Sequence, residues 1–200
     1  MKLLLLRHAQ SIMNAEYRWA GSADPPLSAN GIEAVRQLAP QLQELGVTSL
    51  FSSSLVRAVQ TAHLLNEYLH VRYHAPVTEF NDRDIGYWTG LTYEELQESY
   101  PEELRAWTSG ASREIPGAES WGALCARALH GLDIIRQRCQ PSDVAVAVSH
   151  AQVLTAICDS LGFSSTKQHN LEGHWLEIVE GSVVYLEAFS LARAHHHYSE

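Results

Sequence analysis

Four consecutive leucines, Leu3 to Leu6, deliver Arg7 and His8 side by side into polar sequence. A short apolar run without polar alternation fits a strand buried on both faces of an α/β sheet. Ligands of such sheets bind beyond the carboxyl ends of the strands, so Arg7 and His8 predict a pocket at that edge. The pattern returns twice: Val47 to Phe51 runs into Ser52-Ser53-Ser54, with Arg57 one turn into the following helix, and Val144 to Val148 runs into Ser149-His150. In a parallel sheet the three ends converge, so side chains distant in sequence share one pocket.

That set of residue types suits phosphoryl transfer, which needs fixed cations around the phosphate, an in-line nucleophile and a proton donor for the leaving oxygen. Arg7 and Arg57 supply permanent charge on planar forks that match phosphate oxygens. His8 is the candidate nucleophile. Two guanidinium groups nearby disfavour an imidazolium and so keep His8 neutral near pH 7. His150 is then placed to donate to a phosphate oxygen.

Between these ends the chain alternates strand and helix patterns. A loop spans roughly Gln10 to Leu27, and a helix opens at Ser28-Ala29-Asn30-Gly31 and ends at Gly46. The three serines at 52–54 supply cap-type hydroxyls to a helix carrying Leu55, Val59, Ala62 and Leu65. A third strand is predicted at Val77 to Phe80. Residues 86–117 differ in character, holding Tyr87, Trp88, Tyr93, Tyr100 and Trp107 among many glutamates, with Pro101 opening the second of two short helices. A longer helix follows from about Glu119 to Cys139, another from Gln152 to Leu161, and a hairpin closes the chain around Glu180-Gly181. The predicted architecture is a three-layer αβα sandwich with a mostly parallel central sheet. It forms a single domain over residues 1–200, with a small helical cap inserted at about 86–117.

Composition narrows the partners. A net charge of -9 argues against nucleic acid or an anionic membrane as the main ligand. The opening Met-Lys-Leu-Leu-Leu-Leu is too short for a signal peptide and no later run is long enough to span a bilayer, which predicts a cytoplasmic protein. Cys125, Cys139 and Cys158 match no zinc spacing, and Cys125 and Cys158 sit in apolar helical patterns, as core residues do. His70 and His74 lie four apart, but Val71, Tyr73 and Pro76 argue against a helix that would bring them together. No metal and no cofactor is expected. His195-His196-His197 reads either as a tag remnant or as a natural, disordered end.

Taken in order, Leu-Arg-His-Ala-Gln-Ser-x-x-Asn from Leu6, Pro-Leu-Ser-Ala-Asn-Gly from Pro26, Ser-Ser-Ser-Leu-Val-Arg-Ala-Val-Gln-Thr-Ala from Ser52 and Val-Ser-His-Ala from Val148 resemble the histidine phosphatase superfamily, in its phosphoglycerate mutase-like branch. The resemblance implies that His8 becomes a phosphohistidine and that Arg7, Asn14, Arg57 and His150 line the phosphate site. It also implies an acid after the third strand. The family usually has glutamate there, and this chain, aligned on Gly86-Tyr87-Trp88-Thr89-Gly90, has Asp82, with Asp84 and Glu79 as rivals. The intrinsic difference between the two acids is only about 0.4 pKa units; the shorter reach of aspartate matters more.

Two reactions share this beginning. Asn81-Asp82-Arg83 and the stretch Glu16-Tyr17-Arg18-Trp19 with Gly21 resemble the mutases, whereas the paired arginines that mutases carry after the cap tryptophan are here Thr108 and Ser109 following Trp107. The reading is therefore a metal-independent phosphomonoesterase acting on a small phosphorylated metabolite, a sugar phosphate or phospho-acid. Arg18, Gly21 and Arg83 would bind the substrate, with Arg113 as a further candidate, and Trp19, Tyr87 and Trp88 would pack on its nonpolar part. The alternatives are a cofactor-dependent mutase and a phosphate-binding or scaffolding relative with an impaired site. A homodimer is compatible with the sequence.

Overall fold

The computed structural model describes residues 1–163, 168–179 and 182–190. In chain order its elements are strand β1 (Lys2–Arg7), helix α1 (Ile12–Ala15), helix α2 (Ala29–Glu44), strand β2 (Ser49–Ser52), helix α3 (Val56–Leu69) and strand β3 (Arg72–Tyr73). Two short 3-10 turns follow, at Thr78–Phe80 and Gly86–Trp88. Then come helices α4 (Tyr93–Ser99), α5 (Pro101–Thr108) and α6 (Trp121–Arg138), strand β4 (Val144–Ser149), helix α7 (Ala151–Ser160) and strands β5 (Gly173–Val179) and β6 (Ser182–Phe189).

The six strands form one sheet in the order β3-β2-β4-β1-β5-β6. The pairs β3–β2, β2–β4 and β4–β1 are parallel, and β1–β5 and β5–β6 are antiparallel. All four leucines of β1 are wholly buried. Successive side chains on a strand point to opposite faces, so Leu4 and Leu6 join the core under α2 and α3 while Leu3 and Leu5 join the core under α6 and α7. Each such leucine contributes about 1.5–3 kcal/mol relative to exposure. The two cores make the structure three-layered, as the unbroken leucine run requires.

Register is what places the site. Leu6 pairs with Val148 and Arg7 with Ser149, while Ser52 pairs with Val148. The backbone N–H of His8 then donates to the Ser149 carbonyl (2.9 Å) and that of Ser53 to the Val148 carbonyl (2.9 Å). His8, Ser53 and His150 consequently leave the sheet at one level.

The third strand departs from expectation. Residues 78–80 form a 3-10 turn, and the strand paired with β2 is the two-residue β3. Beyond β3 the His74 N–H donates to the Leu50 carbonyl (3.0 Å), and the next bond back to β2 comes from the Val77 N–H to the Ser52 carbonyl (2.8 Å), one residue past Pro76, which has no N–H to offer. Phe80 instead turns inward against α6, where Gly131 leaves room: a Cβ on Gly131 would lie 2.4 Å from the phenyl ring.

Residues 85–118 gather a separate apolar cluster of Ile85, Trp88, Leu96, Leu104 and Ile115. Within it Trp88 is fully buried, with Trp19 edge-on at 5.4 Å, and so packs on protein; Tyr87 is exposed. Helix α4 opens on a reciprocal Thr92–Glu95 capping box and α5 on Pro101. Cys158 is buried, Cys125 and Cys139 are partly so, and all three are free thiols. The predicted turn at Glu180-Gly181 and the His195–His197 run lie outside the described residues. Among the described residues no helix is long and apolar enough to cross a membrane.

Gly131→Ala is expected to destabilise the protein by about 1–3 kcal/mol, the usual cost of overpacking a filled site. Urea unfolding checks this, and an unchanged midpoint would show that Phe80 has room to retreat.

Candidate active site

Arg57 lies in the first turn of α3, has no exposed surface, and bonds in four directions. Its Nε–H donates to His8 Nε2 (3.2 Å), one terminal nitrogen to the Ala23 carbonyl (2.7 Å), and the other to the Gly21 carbonyl (2.8 Å) and to Asp82 Oδ2 (2.9 Å). The sequence predicts serine caps for this helix, but the structure employs the serines elsewhere. Ser53 bonds to His150 and Ser54 to Asn81, and the N–H of Val56 donates to the Asp24 carboxylate (2.6 Å). An arginine in the first turn opposes the helix dipole; Asp24 and Asp82 offset that here.

The protonation of His8 follows from its neighbours. Nδ1 lies 2.6 Å from the Ala9 carbonyl, which only accepts, so Nδ1 carries the proton and Nε2 turns a lone pair toward Arg57. The Ala9 backbone is itself fixed by its N–H on Thr61 Oγ1 (3.1 Å). Burial, then the charges of Arg57 and Arg7, hold the His8 imidazole well below its usual range. The two cations predicted to keep it neutral do act that way, and desolvation outweighs both.

His150 takes the same tautomer. Ser53 Oγ accepts from the Leu55 N–H (3.4 Å) and donates to His150 Nε2 (2.8 Å), which leaves the proton on Nδ1 facing Asp82 Oδ2 at 3.6 Å. The two imidazole rings sit 5.0 Å apart. Burial and then Arg57 depress His150 in the same direction as His8. Asp82 accepts from the Arg83 N–H (3.0 Å) as well as from Arg57, yet burial outweighs these contacts and raises its carboxyl above the ordinary aspartate value. The two rivals face elsewhere: Glu79 lies 3.6 Å from His130, and Asp84 accepts from the Gly86 N–H (2.9 Å).

Arg7 reaches the same region, donating to the Gln168 carbonyl (2.8 Å), with its Nε buried and without a hydrogen bond among the described residues. Asn14 stands at the end of α1, its Oδ1 receiving the N–H of Ser11 (3.2 Å) and the amide of Asn170 (3.3 Å), which also caps the His8 carbonyl (2.9 Å). Gly21 contributes a carbonyl to Arg57 at a positive φ of 50, where a side chain would strike Ile85. Arg18 and Arg83 are not brought to the cluster as free cations. Arg18 binds Glu95 (2.9 Å) and the Gly90 carbonyl, while the buried Arg83 donates to the carbonyls of Glu119 and Arg113 (2.8 Å each) with Glu114 at 3.8 Å. Sequence reasoning missed Asp24, Thr61, Asn170 and Arg127. Their partners are backbone groups or side chains far along the chain, and no local pattern marks them. Among the described residues no three His, Cys, Asp or Glu side chains cluster as a metal site would require; His70 ends α3, and His74 stacks on Phe51 at 4.1 Å.

A central sheet with β1 at its middle, and two buried histidines and two arginines gathered at the carboxyl ends of its strands, define an α/β fold with a cationic, histidine-lined site. Residues 3–187 match the histidine phosphatase superfamily (branch 1), and the chain belongs to that family. It is 33% identical over 171 residues to phosphoserine phosphatase 1 of Hydrogenobacter thermophilus, covering 84% of this chain and 79% of that one. It is 32% identical over 132 residues to a 2,3-bisphosphoglycerate-dependent phosphoglycerate mutase of Rhizobium etli, covering 64% of this chain and 63% of that one. A mycobacterial glucosyl-3-phosphoglycerate phosphatase shares the fold with a TM-score of 0.81 at 23% identity, over 92% of this chain and 96% of that one.

Because His8 and His150 are both depressed, the unfolded chain binds protons more readily than the native one once the pH falls below the ordinary histidine value. Stability is therefore expected to decline below about pH 6.5, each histidine steepening the fall by up to about 1.4 kcal/mol per pH unit. Urea unfolding across that range should show a shallower decline in His150→Gln, and an identical slope would mean that His150 does not titrate as its burial dictates.

Proposed function

We propose that the chain is a metal-independent phosphomonoesterase that passes the phosphoryl group of a small phosphorylated metabolite first to His8 and then to water. The observation that carries this reading is the His8 Nε2 lone pair, fixed by the Ala9 carbonyl behind the ring and set beside the Arg57 guanidinium, which also holds the Asp82 carboxyl. A phosphate arriving there exchanges the Arg57–His8 contact for contacts to its own oxygens, with Arg7, Asn14 and the His150 Nδ1–H as further donors. The P–O bond breaks as the P–N bond to Nε2 forms, and Asp82 gives its proton to the departing oxygen. The ring becomes formally cationic, and the Ala9 carbonyl on Nδ1–H stabilises that charge. Water then attacks phosphorus on the opposite side from Nε2 and loses a proton to Asp82. The P–N bond breaks, inorganic phosphate leaves and His8 returns neutral.

A raised carboxyl suits the first step, since an acid must still hold its proton near working pH. Residues 86–117 act as the cap over the pocket, a role their separate apolar cluster supports. The kinship to mutases keeps transfer between substrate positions as a second reading. Against it, the cations that would grip a second anionic group are already matched by carboxylates: Arg18 by Glu95, Arg83 by Glu114 and Arg113 by Asp159. Hydrolysis of a monophosphate, such as the phosphoserine or sugar-acid phosphate named in the relatives, is favoured.

A panel of phosphorylated metabolites assayed together for phosphate release and for positional transfer separates the two, release without transfer being the expected result. His8→Ala should abolish turnover of every substrate, and retained hydrolysis would remove His8 as nucleophile. Asp82→Asn should slow alkyl phosphates by about 10²–10⁴-fold and activated aryl phosphates far less. An equal loss for both would move the acid to Asp84 or Glu79.

A further inference from the structure

The four carbonyls of residues 79–82, the backbone that carries Asp82, all accept from side chains. After the 3-10 turn at Thr78–Phe80 the chain has no ladder partner, yet buried carbonyls still require donors. Arg127, on α6, provides most of them. One of its terminal nitrogens donates to the carbonyls of Glu79 and Asn81 (2.7 Å each) and the other to that of Asp82 (3.1 Å). Its remaining donors go to Glu119, from Nε at 2.7 Å and from the second terminal nitrogen at 2.8 Å. All five N–H donors of the guanidinium are thereby used. The one carbonyl Arg127 leaves out, that of Phe80, accepts from Ser149 Oγ (2.9 Å) in β4. Glu119 extends the clamp on its own backbone: its N–H donates to the Asp84 carbonyl (2.9 Å), and its carbonyl accepts from Arg83 Nε (2.8 Å).

We propose that Arg127, held by Glu119, is a positioning residue for proton transfer at Asp82. This rests on the reading of Asp82 as acid and base. Aspartate has a single methylene between backbone and carboxyl, so the place of its oxygens follows the backbone closely. Arg127 does not touch the phosphate site; it fixes three carbonyls across residues 79–82 and thereby aims the carboxyl between Arg57 and His150. The guanidinium fork is what the geometry uses. A lysine has three donors on one nitrogen and cannot span Glu119 and three carbonyls at once.

The test combines Arg127→Met, Arg127→Lys and Glu119→Gln with Asp82→Asn, assayed on an alkyl phosphate and on dinitrophenyl phosphate, whose leaving group needs no proton. Arg127→Met is expected to lower kcat on the alkyl phosphate by about 10–100-fold, part of the range open to a positioned acid, with KM little changed. The first turnover of dinitrophenyl phosphate, read as the burst of released phenol, should change less than about 3-fold, because phosphoryl transfer to His8 needs no help from Asp82 there. Arg127→Lys and Glu119→Gln should show the same selectivity more weakly, and they carry the test if Arg127→Met fails to fold. In an Asp82→Asn background the Arg127 substitution should add almost nothing, as expected of residues that act as a unit. Losses that are equal on both substrates, or fully additive with Asp82→Asn, would overturn the positioning role while leaving Asp82 as acid. If Asp82→Asn itself proves indifferent to the leaving group, the assignment of Asp82 falls, and this inference with it.

Discussion

A guanidinium with no exposed surface must find every partner inside the protein, and Arg57 does. An unmatched buried charge costs several kcal/mol, so the chain is constrained to bring two carbonyls, a carboxylate and an imidazole to that group. The Gly21 and Ala23 carbonyls fold the long loop after β1 back over the sheet edge. Asp82 arrives from beyond β3 and His8 from the end of β1. The pocket is thus assembled around one cation, and the electrostatic state of its members follows: His8 and His150 are pushed toward neutrality, Asp82 toward its protonated form, each first by burial.

Such an assembly does not stabilise the fold by itself. Three ionisable groups held away from their ordinary protonation ranges weaken the native state at one pH or another, and the apolar layers offset this. Leu4 and Leu6 on one side of β1, and Leu3 and Leu5 on the other, tie the strand into two cores that fix its register. That register sets His8 level with Ser53 and His150. Packing brings His8, Ser53 and His150 to one level, and the contacts of Arg57 bring the loop after β1 and Asp82 to them.

Much of this was legible in the sequence because its signals are strong and local. Four leucines, five small apolar residues from Val144 to Val148 and a helical period after Ser28 leave few alternatives, and the polar residues at their ends are placed by topology alone. The misses have physical causes. Val77 to Phe80 reads as a strand because valine and phenylalanine favour sheets, but only Val77 bonds back to Ser52, and the space over Gly131 draws Phe80 into a turn. Serines before a helix read as caps, yet Ser53 is claimed by a histidine 97 residues away. Arg127 looks like any charged residue on a helix's outer face until the carbonyls of residues 79–82 are seen around it. Arg18 and Arg83 read as cations available to a ligand, and their acidic partners emerge only from the folded arrangement of the segment after residue 85.

The central claim is that phosphorus becomes bonded to Nε2 of His8, with Nδ1 still protonated against Ala9. Rapid quenching of the enzyme with a turning-over phosphomonoester, followed by peptide mapping and 31P NMR under alkaline denaturing conditions, reads this directly. A phosphoramidate that is stable in base, labile in acid and confined to Nε2 of His8 is the predicted species. A hydroxylamine-sensitive acyl phosphate on Asp82, or label on any residue other than His8, would contradict the account.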